Sequence, residues 1–169
     1  MSINVIFICY ENICRSPMAE GIFSSLLARY NLQHLFSVSS AGTVSYQNDS
    51  LPDERAIAAL SSKGIDISSI RARCIDDLDM YAYDWIFVMD HDNYEEICSL
   101  FISSRRPRVY KVMEFVAGRS CEEISDPYYG SKKEFERVMN DLVIATEQIL
   151  VRMFEEYPGV ASQVSDVLI

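Results

Sequence analysis

The chain has 169 residues, of which 49% are hydrophobic and 24% are charged, and its formal net charge is −10. This length and composition predict one globular domain and exclude a disordered or fibrous chain. The longest apolar run is far shorter than the roughly 20 residues of a membrane-spanning helix, so we expect no membrane insertion. The acidic balance argues against nucleic-acid binding, because phosphate backbones require a basic surface.

In the first half of the chain, β-like runs alternate with helical patterns. Residues 4–9 (NVIFIC) predict a strand that is buried on both faces. A helix is predicted to follow, with Ser16 as its N-cap and Pro17 at its first position. Residues 36–41 predict a second strand, and Asp53 is expected to cap the next helix.

The second half continues this alternation. Residues 84–89 and 108–112 predict two more strands, and Asp90 is expected to cap the helix between them. Ser131 and Glu134 have the spacing of a capping box at the start of the last helix. Strands that alternate with helices predict an α/β fold, in which a parallel sheet carries helices on both faces.

The periodicity ends near Tyr157. We therefore predict one domain over residues 1–157 and a loosely held C-terminal tail over residues 158–169. The first residues lack the charged lead and cleavage site of a secretory signal, which predicts a cytoplasmic location.

Five cysteines are spread along the chain without a CxxC pair, and the two histidines are isolated. This distribution argues against a zinc site, and we predict neither a metal nor another cofactor. Reduced thiols are the expectation for a cytoplasmic protein, so one cysteine can be present for its reactivity.

The loop between the first strand and the first helix carries the strongest chemical signal. In open α/β sheets, ligands bind beyond the carboxyl ends of the strands. Inward-facing loop amides, a helix N-terminus and an arginine together predict a cradle for a tetrahedral dianion. The predicted cradle consists of Cys9, Tyr10, Glu11, Asn12, Ile13, Cys14, Arg15 and Ser16.

Cys9 is expected at the floor of this cradle. The field that holds phosphate also favours a thiolate, so Cys9 is the candidate nucleophile. The hydroxyl of Ser16 can donate a hydrogen bond to that thiolate. The alternative is a structural cysteine that ends a strand, with Arg15 on the surface.

Asp126 is the candidate proton donor. An aryl phosphate needs an acid to protonate its leaving group, and Asp126 precedes a stiff Pro127. Tyr128 and Tyr129 can form the walls of a slot for an aromatic ring. The alternative is an ordinary Asp-Pro turn with surface tyrosines.

The motifs CYENICRSPMAE and DPYYG, with SSAGT, SKGID, RAR and VMDHDN between them, resemble the low-molecular-weight protein tyrosine phosphatases. The resemblance extends to about Tyr157. It implies a three-layer, flavodoxin-like fold around a four-stranded parallel sheet. It also implies a phosphotyrosine-containing protein as substrate, and we expect a monomer or weak dimer.

The resemblance further implies a two-step hydrolysis without metal. Cys9 would form a cysteinyl-phosphate, and Arg15 with the loop amides would hold the phosphoryl oxygens. Asp126 would protonate the phenolate and then act as base for the attacking water. Ser40, with Asn12, would support the loop. The aromatic slot would be lined by Tyr10, Tyr46, Tyr128 and Tyr129.

Three residues near the loop bear on this interpretation. Glu11 stands where the family usually has glycine, so it would be strained at positive φ and would bring a carboxylate near the dianion. We expect reduced or altered activity toward aryl phosphates. Ile70 replaces a histidine that usually bonds the loop asparagine, so Asn12 must find another partner. Cys14 either protects Cys9 through a reversible disulfide or fills apolar space.

Two other functions stay open at this point. One is an arsenate reductase on the same fold, with Cys74 and Cys98 as a redox relay. The other is a non-catalytic phosphotyrosine-binding module weakened by Glu11. Thioredoxin-coupled arsenate reduction would identify the first, and tight phosphopeptide binding without phosphate release would identify the second.

Overall fold

A four-stranded parallel sheet forms the middle layer of the computed structural model, which describes residues 2–102 and 107–165. The strand order is β2-β1-β3-β4. The strands are β1 (Ile3–Cys9), β2 (Phe36–Gly42), β3 (Trp85–Val88) and β4 (Arg108–Lys111). Each predicted strand is confirmed to within one residue at either end.

Helices cover both faces of this sheet. They are α1 (Arg15–Arg29), α2 (Glu54–Ser61), α3 (His91–Ser99), α4 (Lys132–Glu156) and α5 (Pro158–Ser165). In β1, Val5 and Phe7 face the core built with α1, α2 and α4, whereas Ile6 and Ile8 face the core that includes Ile97 of α3. The predicted three-layer α/β fold is therefore confirmed.

The predicted helix caps of α2, α3 and α4 are confirmed. The Asp53 carboxylate accepts a hydrogen bond from the Arg55 amide, and the Asp90 carboxylate accepts one from the Asn93 amide, both at 2.9 Å. The capping box at the start of α4 is present at Ser131. These local signals need only a few residues, which is why the sequence reveals them.

The predicted start of α1 is wrong by two residues. The N-cap is Cys14, and Ser16 lies inside the first turn. The hydroxyl of Ser16 is engaged by the side chains of Cys9 and Asn12, so it does not cap the helix. Pro17 also lies in the first turn, where its missing N–H has no partner to lose.

The segment after α4 differs from the predicted loose tail. Residues 158–165 form α5, and Val160 and Val164 are buried in the larger core. Two buried valines are too few to produce a recognisable helical period in the sequence, so the helix was not predicted. Residues 166–169 of the predicted tail lie outside the described residues. No helix in the described ranges combines the length and the apolar character needed to cross a bilayer.

Packing of α5 can be tested with Val160→Ala. Loss of two buried methyl groups should lower the free energy of unfolding by about 1.5 kcal/mol in urea denaturation. The matched control is Val151→Ala, because Val151 is 51% exposed and has the same gain in helix propensity. Equal stabilities of the two variants would show that α5 contributes nothing to the fold.

Candidate active site

The loop from Cys9 to Ser16 connects β1 to α1 and lies close against the end of β2. A Cβ atom at Gly42 would lie 2.7 Å from the Tyr10 carbonyl oxygen and 2.9 Å from the Glu11 carbonyl carbon. Only glycine permits this approach. The loop residue with positive φ is Asn12, at 58°. Glu11 does not have a positive φ, so the backbone strain expected for a glutamate in that conformation is absent. Asn12 has the positive φ instead, and asparagine tolerates it.

The side chain of Asn12 holds the loop in shape. Its Nδ2 donates to Ser16 Oγ at 2.8 Å and to Ser40 Oγ at 2.9 Å. Its Oδ1 accepts from the backbone N–H of Arg73 at 3.0 Å. This amide supplies the partner that Ile70 cannot provide. Asn12 is fully buried, so these bonds also satisfy its polar atoms.

The loop network continues into α1 through Ser40. The Ser40 hydroxyl donates to Glu20 Oε2 at 2.5 Å, and the Ser40 carbonyl accepts from Arg73 Nε at 2.9 Å. Burial raises the pKa of Glu20, although the Ser40 hydrogen bond and the Arg73 charge oppose this shift. The sequence reasoning did not identify Glu20 or Arg73.

Cys9 lies at the floor of the loop and is 3% exposed. Its sulfur lies 3.0 Å from Ser16 Oγ. The same hydroxyl can donate to the Ala41 carbonyl at 3.3 Å. Because Asn12 donates to Ser16 Oγ, the single hydroxyl proton is shared between the Ala41 carbonyl and the sulfur as possible acceptors, and when it points at sulfur it would stabilise a thiolate.

Arg15 is 2% exposed, so the alternative of a surface arginine is wrong. Its Nη1 donates to Asp90 Oδ2 at 2.6 Å and to the Ile124 carbonyl at 2.9 Å. Its Nη2 lies 3.3 Å from Asp126 Oδ2. Burial opposes the positive charge, but the negative charges of Cys9, Asp126 and Asp90 prevail, and the pKa of Arg15 is raised.

Asp126 lies at the mouth of the cleft, and 46% of its side chain is exposed. Its Oδ1 accepts from the Tyr128 amide at 3.1 Å, while Oδ2 faces Arg15. The structure thus brings the candidate acid, the arginine and the cysteine to one cleft. The cleft is lined by Cys9, Glu11, Ile13, Cys14, Arg15, Asp126 and Tyr128.

The four candidate slot tyrosines occupy different positions. Tyr128 lines the cleft, and Tyr129, 98% exposed, packs edge-on against it with ring centres 5.0 Å apart. Tyr10 and Tyr46 make a second edge-on pair, which is exposed and does not line the cleft. Desolvation, followed by the charges of Tyr46 and Glu11, raises the pKa of Tyr10. Tyr10, Tyr46 and the half-buried Glu11 are therefore near one another.

Cys14 is buried beside Cys9 as the N-cap of α1. Burial, and then the charge of Cys9, raises the pKa of the Cys14 thiol. Cys14 should therefore stay protonated, which makes it a poor nucleophile and leaves Cys9 as the candidate. Both are free thiols. A disulfide between them stays a prediction.

Asp90 is a site residue that the sequence reasoning assigned only to capping. One carboxylate oxygen caps α3 and the other binds Arg15. Its position just after β3 was the available signal, because β1 and β3 are neighbours and their carboxyl ends meet.

Residues 4–158 match the family model of the low molecular weight phosphotyrosine protein phosphatases. The chain belongs to this family. The resemblance of the sequence motifs is thereby confirmed. Family members are protein tyrosine phosphatases, which hydrolyse phosphoric monoesters.

Individual relatives agree in sequence and in structure. The Bacillus subtilis low molecular weight protein-tyrosine-phosphatase YfkJ is 30% identical over 154 residues, which cover 91% of this chain and 97% of the relative. The crystal structure of a protein tyrosine phosphatase from Entamoeba histolytica superposes with a TM-score of 0.86 at 32% identity, over 92% and 99% of the two chains. A Drosophila arginine phosphatase, DARP, superposes with a TM-score of 0.80 at 29% identity, over 88% and 96%.

Removal of the Glu11 charge should raise kcat/KM for p-nitrophenyl phosphate. A partly exposed carboxylate within a few ångströms of a dianion costs about 1 kcal/mol in water, so Glu11→Gln should gain a few-fold at low ionic strength. Glu11→Gly should behave alike, because φ at this position is not positive. Glu147→Gln removes the same charge away from the cleft and serves as control. An unchanged kcat/KM for Glu11→Gln would contradict the electrostatic role.

Asp90→Asn should lower kcat/KM by about 100-fold, because a neutral amide holds the Arg15 guanidinium less firmly and a small displacement is costly. The exposed neighbour provides the control, Asp92→Asn, which should keep full activity. Circular dichroism should show an intact fold in both variants. Equal activity of the two variants would remove Asp90 from the site.

Proposed function

We propose that this phosphatase hydrolyses phosphotyrosine in proteins, and related aryl phosphates, through a cysteinyl-phosphate intermediate. The convergence of Cys9, Arg15 and Asp126 on one cleft, with Tyr128 in its wall, supports the proposal most directly. These groups supply a nucleophile, an oxyanion ligand and a proton donor.

In the first step, Cys9 Sγ attacks phosphorus in line with the ester oxygen. The S–P bond forms, the P–O bond to the aryl group breaks, and Asp126 donates its proton to the departing oxygen. In the described residues, nothing accepts from Arg15 Nε or from the second N–H of its Nη2. Those parallel donors suit two phosphoryl oxygens, while Asp90 and Ile124 hold the other end of the guanidinium.

In the second step, a water molecule attacks the phosphorus of the intermediate. The new O–P bond forms, the S–P bond breaks and the thiolate of Cys9 is regenerated. The Asp126 carboxylate takes the proton from water and so recovers the acid form. The net reaction converts an aryl phosphate and water into a phenol and inorganic phosphate.

An aryl substrate is favoured by the cleft walls. Tyr128 and Ile13 offer apolar surface beside the acid, and the exposed Tyr129 packs against Tyr128. A ring held between such groups would place its phosphate at the floor. The likeness to an arginine phosphatase means that the fold alone does not select the substrate. Phosphoarginine is therefore included in the test below.

The two alternative functions are less well supported. Cys74 is 1% exposed in the core on the other side of the sheet, and burial raises its pKa, so it is a poor thiolate for an arsenate relay. Cys98 is partly buried on α3. A non-catalytic binding module would not need Asp126 beside Arg15. We also propose that the protein is a monomer or a weak dimer.

Steady-state kinetics of the wild type, Cys9→Ser and Asp126→Ala test the proposal, with a phosphotyrosine peptide and phosphoarginine as the two substrates. Cys9→Ser should lose activity, since a hydroxyl cannot replace the thiolate, and the kcat/KM of Asp126→Ala should fall by about 100-fold or more because the leaving group is no longer protonated. Cys98→Ser is the control and should be fully active. A rapidly quenched reaction should carry one phosphoryl group on the peptide that contains Cys9.

Three outcomes would overturn the proposal. The first is an active Cys9→Ser variant, and the second is hydrolysis of phosphoarginine but not of a phosphotyrosine peptide. The third is arsenate reduction coupled to thioredoxin.

A further inference from the structure

Arg55, near the start of α2, makes a paired contact with the cap of its own helix. Its Nε donates to Asp53 Oδ1 at 2.9 Å, and its Nη2 donates to Asp53 Oδ2 at 2.8 Å. The side-chain hydrogen bond from Arg55 is the main reason that the pKa of Asp53 is lowered. A two-point contact of this kind fixes the plane of the guanidinium.

The remaining donors of Arg55 reach the loop that carries Asp126. Nη1 donates to the Gly130 carbonyl at 2.8 Å, and Nη2 donates to the Tyr128 carbonyl at 2.9 Å. The guanidinium carbon also lies 4.4 Å from the ring centre of Phe135 in α4. Arg55 thus connects α2 to both ends of the segment that follows the acid.

The same unit contacts the cysteine loop. The backbone N–H of Asp53 donates to the Ile13 carbonyl at 2.8 Å. A continuous path of hydrogen bonds therefore runs from Ile13 through Asp53 and Arg55 to Tyr128. It joins the loop that holds the nucleophile to the loop that holds the acid, and it does not pass through Cys9, Arg15 or Asp126.

The acid loop has few other attachments. On the side before Asp126, the amide of Ile124 donates to the Met89 carbonyl and its carbonyl accepts from Arg15. On the side after Asp126, the carbonyls of Tyr128 and Gly130 are both bound by Arg55, and no other element of the described residues donates to the backbone there. The direct contact between Asp126 and Arg15 is long, at 3.3 Å.

We propose that Arg55 is a positioning residue, which sets Asp126 at the height above Cys9 that proton transfer requires. This inference rests on the proposed function. Arg55 does not line the cleft and touches no reacting atom, so it acts through the residues that it holds, chiefly Tyr128 and Gly130 of the acid loop. Its loss should damage protonation of the leaving group while the nucleophile and Arg15 stay in place.

A leaving-group series separates this role from a general structural one. General-acid catalysis matters most when the departing phenol is a poor leaving group. For Arg55→Met, kcat/KM should fall by about 100-fold for phenyl phosphate but much less for p-nitrophenyl phosphate. Arg55→Lys should restore little, because an ammonium group cannot hold two carboxylate oxygens and two carbonyls in one plane.

Two controls complete the experiment. Arg152→Met removes an arginine that also binds two carboxylates, those of Glu155 and Glu156, and should leave the series unchanged. In an Asp126→Ala background, Arg55→Met should have no further effect, since the group that it positions is absent.

The outcomes distinguish this inference from the proposed function. An equal fall in kcat/KM for every leaving group, or an added loss in the Asp126→Ala background, would overturn the role of Arg55. A wild-type protein that hydrolyses none of the aryl phosphates would overturn the proposed function instead.

Discussion

The burial of one positive charge organises this molecule. Arg15 is almost inaccessible to water, and a buried guanidinium is tolerated only where carboxylates and carbonyls replace its hydration. Its partners come from two distant parts of the chain, Asp90 after β3 and Ile124 with Asp126 before α4. The charge proposed to bind the phosphoryl group therefore also holds together the three segments that form the cleft.

Around this charge, the cysteine loop is shaped mainly by neutral groups. Asn12 connects the hydroxyls of Ser16 and Ser40, and its own oxygen is held by the Arg73 amide. Neutral donors orient the loop without cancelling the positive potential that an anion would meet. The network reaches a carboxylate only at Glu20, on the far side of Ser40. Asn12 and Ser40 thus hold the loop in shape, and the proposed binding of the anion is left to Arg15 and the loop amides.

Local signals account for what could be predicted from the sequence. The strands and the caps at Asp53 and Asp90 depend on a few neighbouring residues, and the motifs around Cys9 and Asp126 are short. The second role of Asp90 and the bridge from Arg55 to Gly130 depend on contacts between residues 75 positions apart. No local pattern encodes such contacts. Helix α5 was missed because Val160 and Val164 are too few to reveal a period.

The contact between Gly42 and the cysteine loop is made by backbone atoms alone. Together with the left-handed Asn12, it specifies the path of the loop without any contribution from the side chain at position 11. The path of the loop therefore tolerates different side chains at position 11, because neither the close approach of Gly42 nor the left-handed turn involves that side chain. The charge at that position can thus change without a change in the backbone that surrounds the cleft.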